Sequence, residues 1–173
     1  MGRFTGPVPL GPEHQVDAFD CGSPAQTEWL RRWARIAQDA DTGRVYVTTP
    51  PDSSKVLGYY ALATGAVAQA DATARVRAGA GRYPISVIIL TRLGVDLSVQ
   101  GHGVGRSLVR DALFRVEQAA DLVGVRALLI HAESNGARDF YQRVAEFEES
   151  PSEHLHLLLT LKDLRTALQP DRP

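Results

Sequence analysis

The chain has 173 residues, of which 44% are apolar and 23% charged, an ordinary globular composition long enough for one domain, 1–173, with a real core. Nineteen basic against twenty acidic residues leave a formal net charge of -1, so any polyanion site must be a local patch rather than a global field. The lone cysteine, Cys21, excludes an internal disulfide and a cysteine zinc cage, and it suits a reducing, cytoplasmic setting. The first residues lack the apolar stretch of a signal peptide, and no run approaches the roughly 18 apolar residues of a membrane span.

Ser23-Pro24 followed by Gln26 forms a capping box, because serine accepts a helix-end N–H where proline needs none. It predicts a helix over 24–39 with Trp29, Leu30, Trp33, Ile36 and Ala37 as its apolar stripe and Arg31, Arg32 and Arg35 on its flanks. Past the Asp41-Thr42-Gly43 turn, two β-prone runs, 44–49 and 56–67, read as an antiparallel pair. Residues 71–82 are mostly Ala, Gly and Arg, and are expected to form a mobile loop or short helix carrying Arg75, Arg77 and Arg82. The segment 85–95, with Ser-Val-Ile-Ile-Leu at its heart, predicts the central strand, buried on both faces.

Glycines then crowd into Gln100-Gly101-His102-Gly103-Val104-Gly105, and Val104, Leu108, Ala112, Leu113 and Val116 mark one face of a following helix. A strand at 125–131, a helix at 135–144 and a last strand at 154–161 complete the order α, β, β, β, α, β, α, β, a mixed α/β domain with a frayed end at 169–173. A glycine turn between strand and helix offers unpaired backbone N–H groups at the positive end of a helix dipole, a cradle for phosphate. Arg106 breaks the dinucleotide fingerprint, and no Lys-Ser or Lys-Thr pair follows as a Walker loop requires. The alternative is that the three glycines merely build a tight connection, because short glycine motifs are weak evidence by themselves.

The turn and the strand residues Leu93-Gly94-Val95-Asp96 before it resemble the Gln/Arg-x-x-Gly-x-Gly/Ala motif of GNAT-family N-acetyltransferases. Phe19-Asp20-Cys21-Gly22, Glu28-Trp29-Leu30, Gly58 to Ala63, Tyr83-Pro84-Ile85, and Leu155-His156-Leu157 through Leu164 are similar to the TacT-like branch, toxins of bacterial type II toxin–antitoxin pairs. The resemblance implies a GNAT fold whose mixed central sheet, flanked by helices, splays at the acetyl-CoA site. It further implies acetyl transfer to the α-amine of an aminoacyl-tRNA, a homodimer, and a small ribbon-helix-helix antitoxin. Acetyl-CoA would be held by Leu93, Gly94, Val95, Gln100, Gly101, His102, Gly103, Val104, Gly105 and Arg106, with Asn135 and Phe140. Tyr141 matches the family's active-site tyrosine and would donate to the leaving sulfur. On pattern alone Tyr141 is a packing aromatic of an amphipathic helix. Relatives commonly continue Phe-Tyr-x-x-x-Gly-Phe, where this chain reads Ala145-Glu146-Phe147, so the turn after that helix is expected to differ.

His154 and His156 alternate on one strand but lack a third ligand, so no metal is expected. Glu133 stands where it would steer an amine or simply be solvated, and no side-chain base is assigned. Phosphate affinity would have to come from Arg31, Arg32 and Arg35, from Arg75, Arg77 and Arg82, and from Arg92, although arginine supplies 17 of the 19 basic residues here. The alternatives are a GNAT enzyme for a small amine or protein N-terminus, which the near-neutral charge suits, and a non-catalytic acyl-CoA-binding regulatory module.

Overall fold

Serine at position 23 takes up the N–H of Gln26 at 3.3 Å and Pro24 opens the first turn, so α1 (Pro24–Glu28) begins where the capping box predicts. The computed structural model describes residues 3–170. The expected single helix is interrupted: α1 passes into a π-helical turn, Trp29–Trp33, before α2 (Ala34–Asp39). The wide turn rotates the helix face, so Thr27, Leu30 and Ala34 are buried while Trp33 and Ile36, expected in the core, stand 53% and 58% exposed.

The strands are β1 (Val8–Pro9), β2 (Arg44–Thr48), β3 (Gly58–Val67), β4 (Ile85–Val95), β5 (Ala127–His131), β6 (Glu148–Glu149) and β7 (His156–Thr160). They order as β1-β2-β3-β4-β5-β7-β6, with β4 in the middle as its apolar run predicts. β2 and β3 pair antiparallel, Tyr46 opposite Tyr60, and β4 runs parallel to β5. The β4–β5 register extends from Val87 to Leu90, and β4 continues past it to Val95. The remaining helices are α3 (Ala74–Arg77), α4 (Val104–Ala120), α5 (Asn135–Val144) and α6 (Leu161–Leu168).

The chain groups into two compact units, residues 1–63 with 91–111 and residues 64–90 with 112–173. The first has a core of Phe19, Leu30, Val45, Val47, Val56 and Tyr59, where Tyr59 meets Phe19 edge-on and stacks on Trp29 at 6.0 Å. The second is built around Val67, Val76, Ile85, Val87, Leu129 and Leu158.

Of the two readings of residues 71–82, mobile loop or short helix, the short helix forms: Thr73 caps α3, Arg126 donates to the carbonyls of Arg75, Val76 and Ala78, and Arg75 pairs with Asp163 at 2.6 Å. The last strand is shorter than 154–161, because Thr160 accepts from the Asp163 N–H and starts α6. Of the end expected to fray, Gln169 and Pro170 are exposed, and 171–173 lie outside the described residues.

Candidate active site

Asp96 fixes the passage from β4 into the glycine turn. Its Oδ2 accepts from the Asp20 N–H at 3.0 Å, and its Oδ1 accepts from the Ser98 N–H and, at 2.6 Å, from the Ser98 hydroxyl. Burial pushes this carboxyl up, but the donors from Ser98 and Asp20, with Lys55, outweigh it and hold the group below its ordinary value. The Gln100 side chain adds a second tie by donating to the carbonyls of Cys21 at 3.0 Å and Val95 at 2.9 Å. Gln100 thus braces the turn, and the Val95 carbonyl is engaged by it.

Gly101 and Gly103 have φ of +79° and +82°, the left-handed region that disfavours side chains. A Cβ at either would meet nothing within 4 Å, so each faces open space at the start of α4, a 17-residue helix. That space and the exposed turn suit a phosphate set on backbone N–H groups. Gly105 is half-buried, while His102 and Arg106 are exposed. Gly94 serves packing, because a Cβ there would come within 3.0 Å of Tyr59 and 3.3 Å of Cys21 and Phe19. Arg92 lies over the Trp29 ring at 5.6 Å, and Leu93 is half-buried beside it.

In the second unit, Ser134 caps α5 by accepting from the Ala137 N–H, and Asn135, the first helical residue, lies 3.2 Å from His154 Nε2. Tyr141 is 7% exposed, its ring 5.2 Å from Phe140 and 6.3 Å from Phe147. Burial and then the Glu133 carboxylate push its phenol well above the ordinary tyrosine value, so the hydroxyl keeps its proton through the neutral range. The departure after this helix is absorbed by an extended Ala145, whose N–H bonds the Tyr141 carbonyl, and Phe147 still folds back against Tyr141. His131 stacks on His156 at 4.0 Å, and burial and His156 hold it below the ordinary histidine value. Among the described residues no group of three or more His, Cys, Asp or Glu is placed to hold a metal.

The arginines divide by what they already hold. Arg35 donates to the carbonyls of Gly11 and His14, Arg75 is committed to Asp163 and Glu148, and Arg32 pairs with Glu28 at 3.3 Å. Arg31, Arg77 and Arg82 are exposed and make no ion pair among the described residues. The bracing roles of Gln100, Asp96 and Arg126 were missed by sequence reasoning, since each bonds residues distant in sequence.

Over 168 residues the chain is 41% identical to a tRNA-acetylating toxin of Mycobacterium tuberculosis, a match covering 97% of this chain and 99% of that one. It is 31% identical over 170 residues to a probable toxin TacT of Sinorhizobium fredii, covering 92% and 93%. The solved structure of AtaTR bound with AcCoA matches with a TM-score of 0.82 at 26% identity, covering 98% of this chain and 100% of that one. Residues 13–147 match the family model for acetyltransferases of the GNAT family, and with β4, the glycine turn and α4 in their expected order, the chain belongs to that family.

Proposed function

We propose that this protein transfers the acetyl group of acetyl-CoA to the α-amine of an aminoacyl-tRNA and thereby acts as a toxin that stops translation. The observation that carries the reading is the near-full-length, 41% identity to a tRNA-acetylating toxin. An acetylated α-amine cannot accept the next peptide, so one transfer per charged tRNA suffices to block elongation or initiation with that tRNA.

Acetyl-CoA supplies an activated acyl group whose carbonyl carbon is attacked by the amine; the C–N bond forms, the C–S bond breaks, the nitrogen gives up one proton to solvent, and sulfur leaves as a thiol on taking one, with the donor reprotonated from solvent. The chain's own residues account for holding and protonation. The positive-φ glycines Gly101 and Gly103 keep the N-terminal amides of α4 open to a pyrophosphate, with Asp96 and Gln100 holding the turn in place. The end of β4 past its β5 register offers main-chain groups at Leu93 for the pantetheine arm. Tyr141 keeps its proton and offers it to the departing sulfur. Asn135 at the start of α5 and Phe140 beside Tyr141 are the residues of the second unit that the family resemblance assigns to the cofactor.

For the tRNA, Arg31, Arg77 and Arg82 are candidate arginines that make no ion pair among the described residues, whereas Arg35 and Arg75 hold the fold. A homodimer working in the cytoplasm and neutralised by a small ribbon-helix-helix antitoxin belongs to the same reading. No helix among the described residues is long and apolar enough to cross a membrane. The net charge of -1 is the feature that favours a small amine or protein N-terminus instead. A cell-free translation reaction separates the readings. Protein plus acetyl-CoA should arrest synthesis, and protein with coenzyme A in place of acetyl-CoA should not; unimpeded synthesis in both would contradict the toxin reading.

A further inference from the structure

Residues 3–7, Arg-Phe-Thr-Gly-Pro, precede β1 and bury no large apolar side chain in either core, yet they are firmly tied down. Thr5 makes the ties: its N–H donates to the Thr49 carbonyl at 2.8 Å, its carbonyl accepts from the Thr48 hydroxyl at 2.6 Å, and its hydroxyl accepts from the Thr49 N–H at 3.3 Å. This clamp sets Arg3 and Phe4 on one wall of a cavity of about 340 Å3, within the size range of small-ligand sites. The same cavity is lined by His102 and Gly103 of the glycine turn and by Ser107 of α4. Val104 and Leu108 add aliphatic side chains to the lining, and they pack close to Thr48 around Gly58, where a Cβ would meet all three at 3.0–3.1 Å.

The lining therefore joins a guanidinium, an imidazole and a hydroxyl to an aromatic ring and aliphatic side chains. Arg3 makes no ion pair among the described residues, and its planar guanidinium matches the geometry of a phosphate. A ligand complementary to that set is flat and apolar at one end and anionic at the other, which describes a nucleoside phosphate. The same turn that walls the cavity also offers its amides to a pyrophosphate, and in acetyl-CoA an adenosine 3′-phosphate is covalently joined to that pyrophosphate. A single ligand can thus satisfy both.

We propose that this cavity receives the nucleotide end of acetyl-CoA, with Arg3 recognising the 3′-phosphate and Phe4 lying against the adenine. The inference rests on the acetyl-CoA reading above and adds to it a cofactor contact from the N-terminal arm, outside the strand–turn–helix motif.

The test is calorimetric titration of the full chain with coenzyme A and with 3′-dephospho-coenzyme A, for wild type, Arg3→Ala and Arg3→Lys. Arg3 is exposed, so the variants should melt with wild type. Wild type should prefer coenzyme A by about tenfold, the worth of one charge-assisted phosphate contact. Arg3→Ala should bind the two ligands equally, through a loss on coenzyme A alone, and Arg3→Lys should lie between, since lysine keeps the charge without the fork. A wild type without preference, an Arg3→Ala variant with the preference intact, or one weakened equally for both ligands overturns the proposal. So does an Arg3→Ala variant that loses tRNA affinity while keeping its preference for coenzyme A, because the phosphate would then be the nucleic acid's. A wild type that binds neither coenzyme is a different result, since it removes the acetyl-CoA reading itself.

Discussion

Two jobs are proposed for Tyr141 on one ring. Its carbon atoms pack beside Phe140 and Phe147 and serve stability, while its hydroxyl, kept protonated by burial and by Glu133, is the proposed donor to the departing sulfur. Tyr141→Phe removes the second and keeps the first. Its melting temperature and its affinity for coenzyme A should stay close to wild type, while kcat falls by about 100- to 10,000-fold, the usual span of a general-acid contribution. Single-turnover rates together with calorimetry check this, and full activity in the variant would return Tyr141 to a packing role. The tyrosine's chemistry was legible only by resemblance, because an aromatic pair in an amphipathic helix has the same sequence signature whether or not its hydroxyl works. Glycine was more informative at the turn, where positive φ at Gly101 and Gly103 requires it, than at Gly94, where aromatic packing does.

At the scale of elements, local rules carried as far as local forces do. Ser23-Pro24 fixed the start of α1, the uninterrupted apolar run fixed β4 at 85–95, and Ser134 fixed the start of α5. The π-helical turn at Trp29–Trp33 escaped, because a helical stripe is read at 3.6 residues per turn and one wider turn moves Trp33 and Ile36 out of the core. α6 escaped for another reason: the leucine-rich run crosses Thr160 without a break, although Thr160 and Asp163 are themselves a capping pair. Tertiary bonds also redistribute the arginines, since Arg35 and Arg75 spend their charge inside the fold. Reversing Arg31, or Arg77 with Arg82, to Glu should therefore weaken tRNA binding and flatten its salt dependence while leaving acetyl-CoA affinity unchanged. A salt series of tRNA affinity checks this, and variants indistinguishable from wild type would shift weight to a small-amine acceptor.

On the scale of the whole molecule, a near-neutral chain has to select a polyanion through local patches, and its cofactor through a braced turn. The family and its fold were readable from the motif order, and the elements stand in that order. What no local pattern conveys is which acceptor amine is used, since that depends on surfaces assembled from distant segments. The most direct test is to incubate the protein with charged total tRNA and labelled acetyl-CoA, with deacylated tRNA in parallel. Label should appear on charged tRNA alone and be released by mild base as an N-acetyl amino acid. Label absent from charged tRNA, or equal on charged and deacylated tRNA, would contradict transfer to aminoacyl-tRNA.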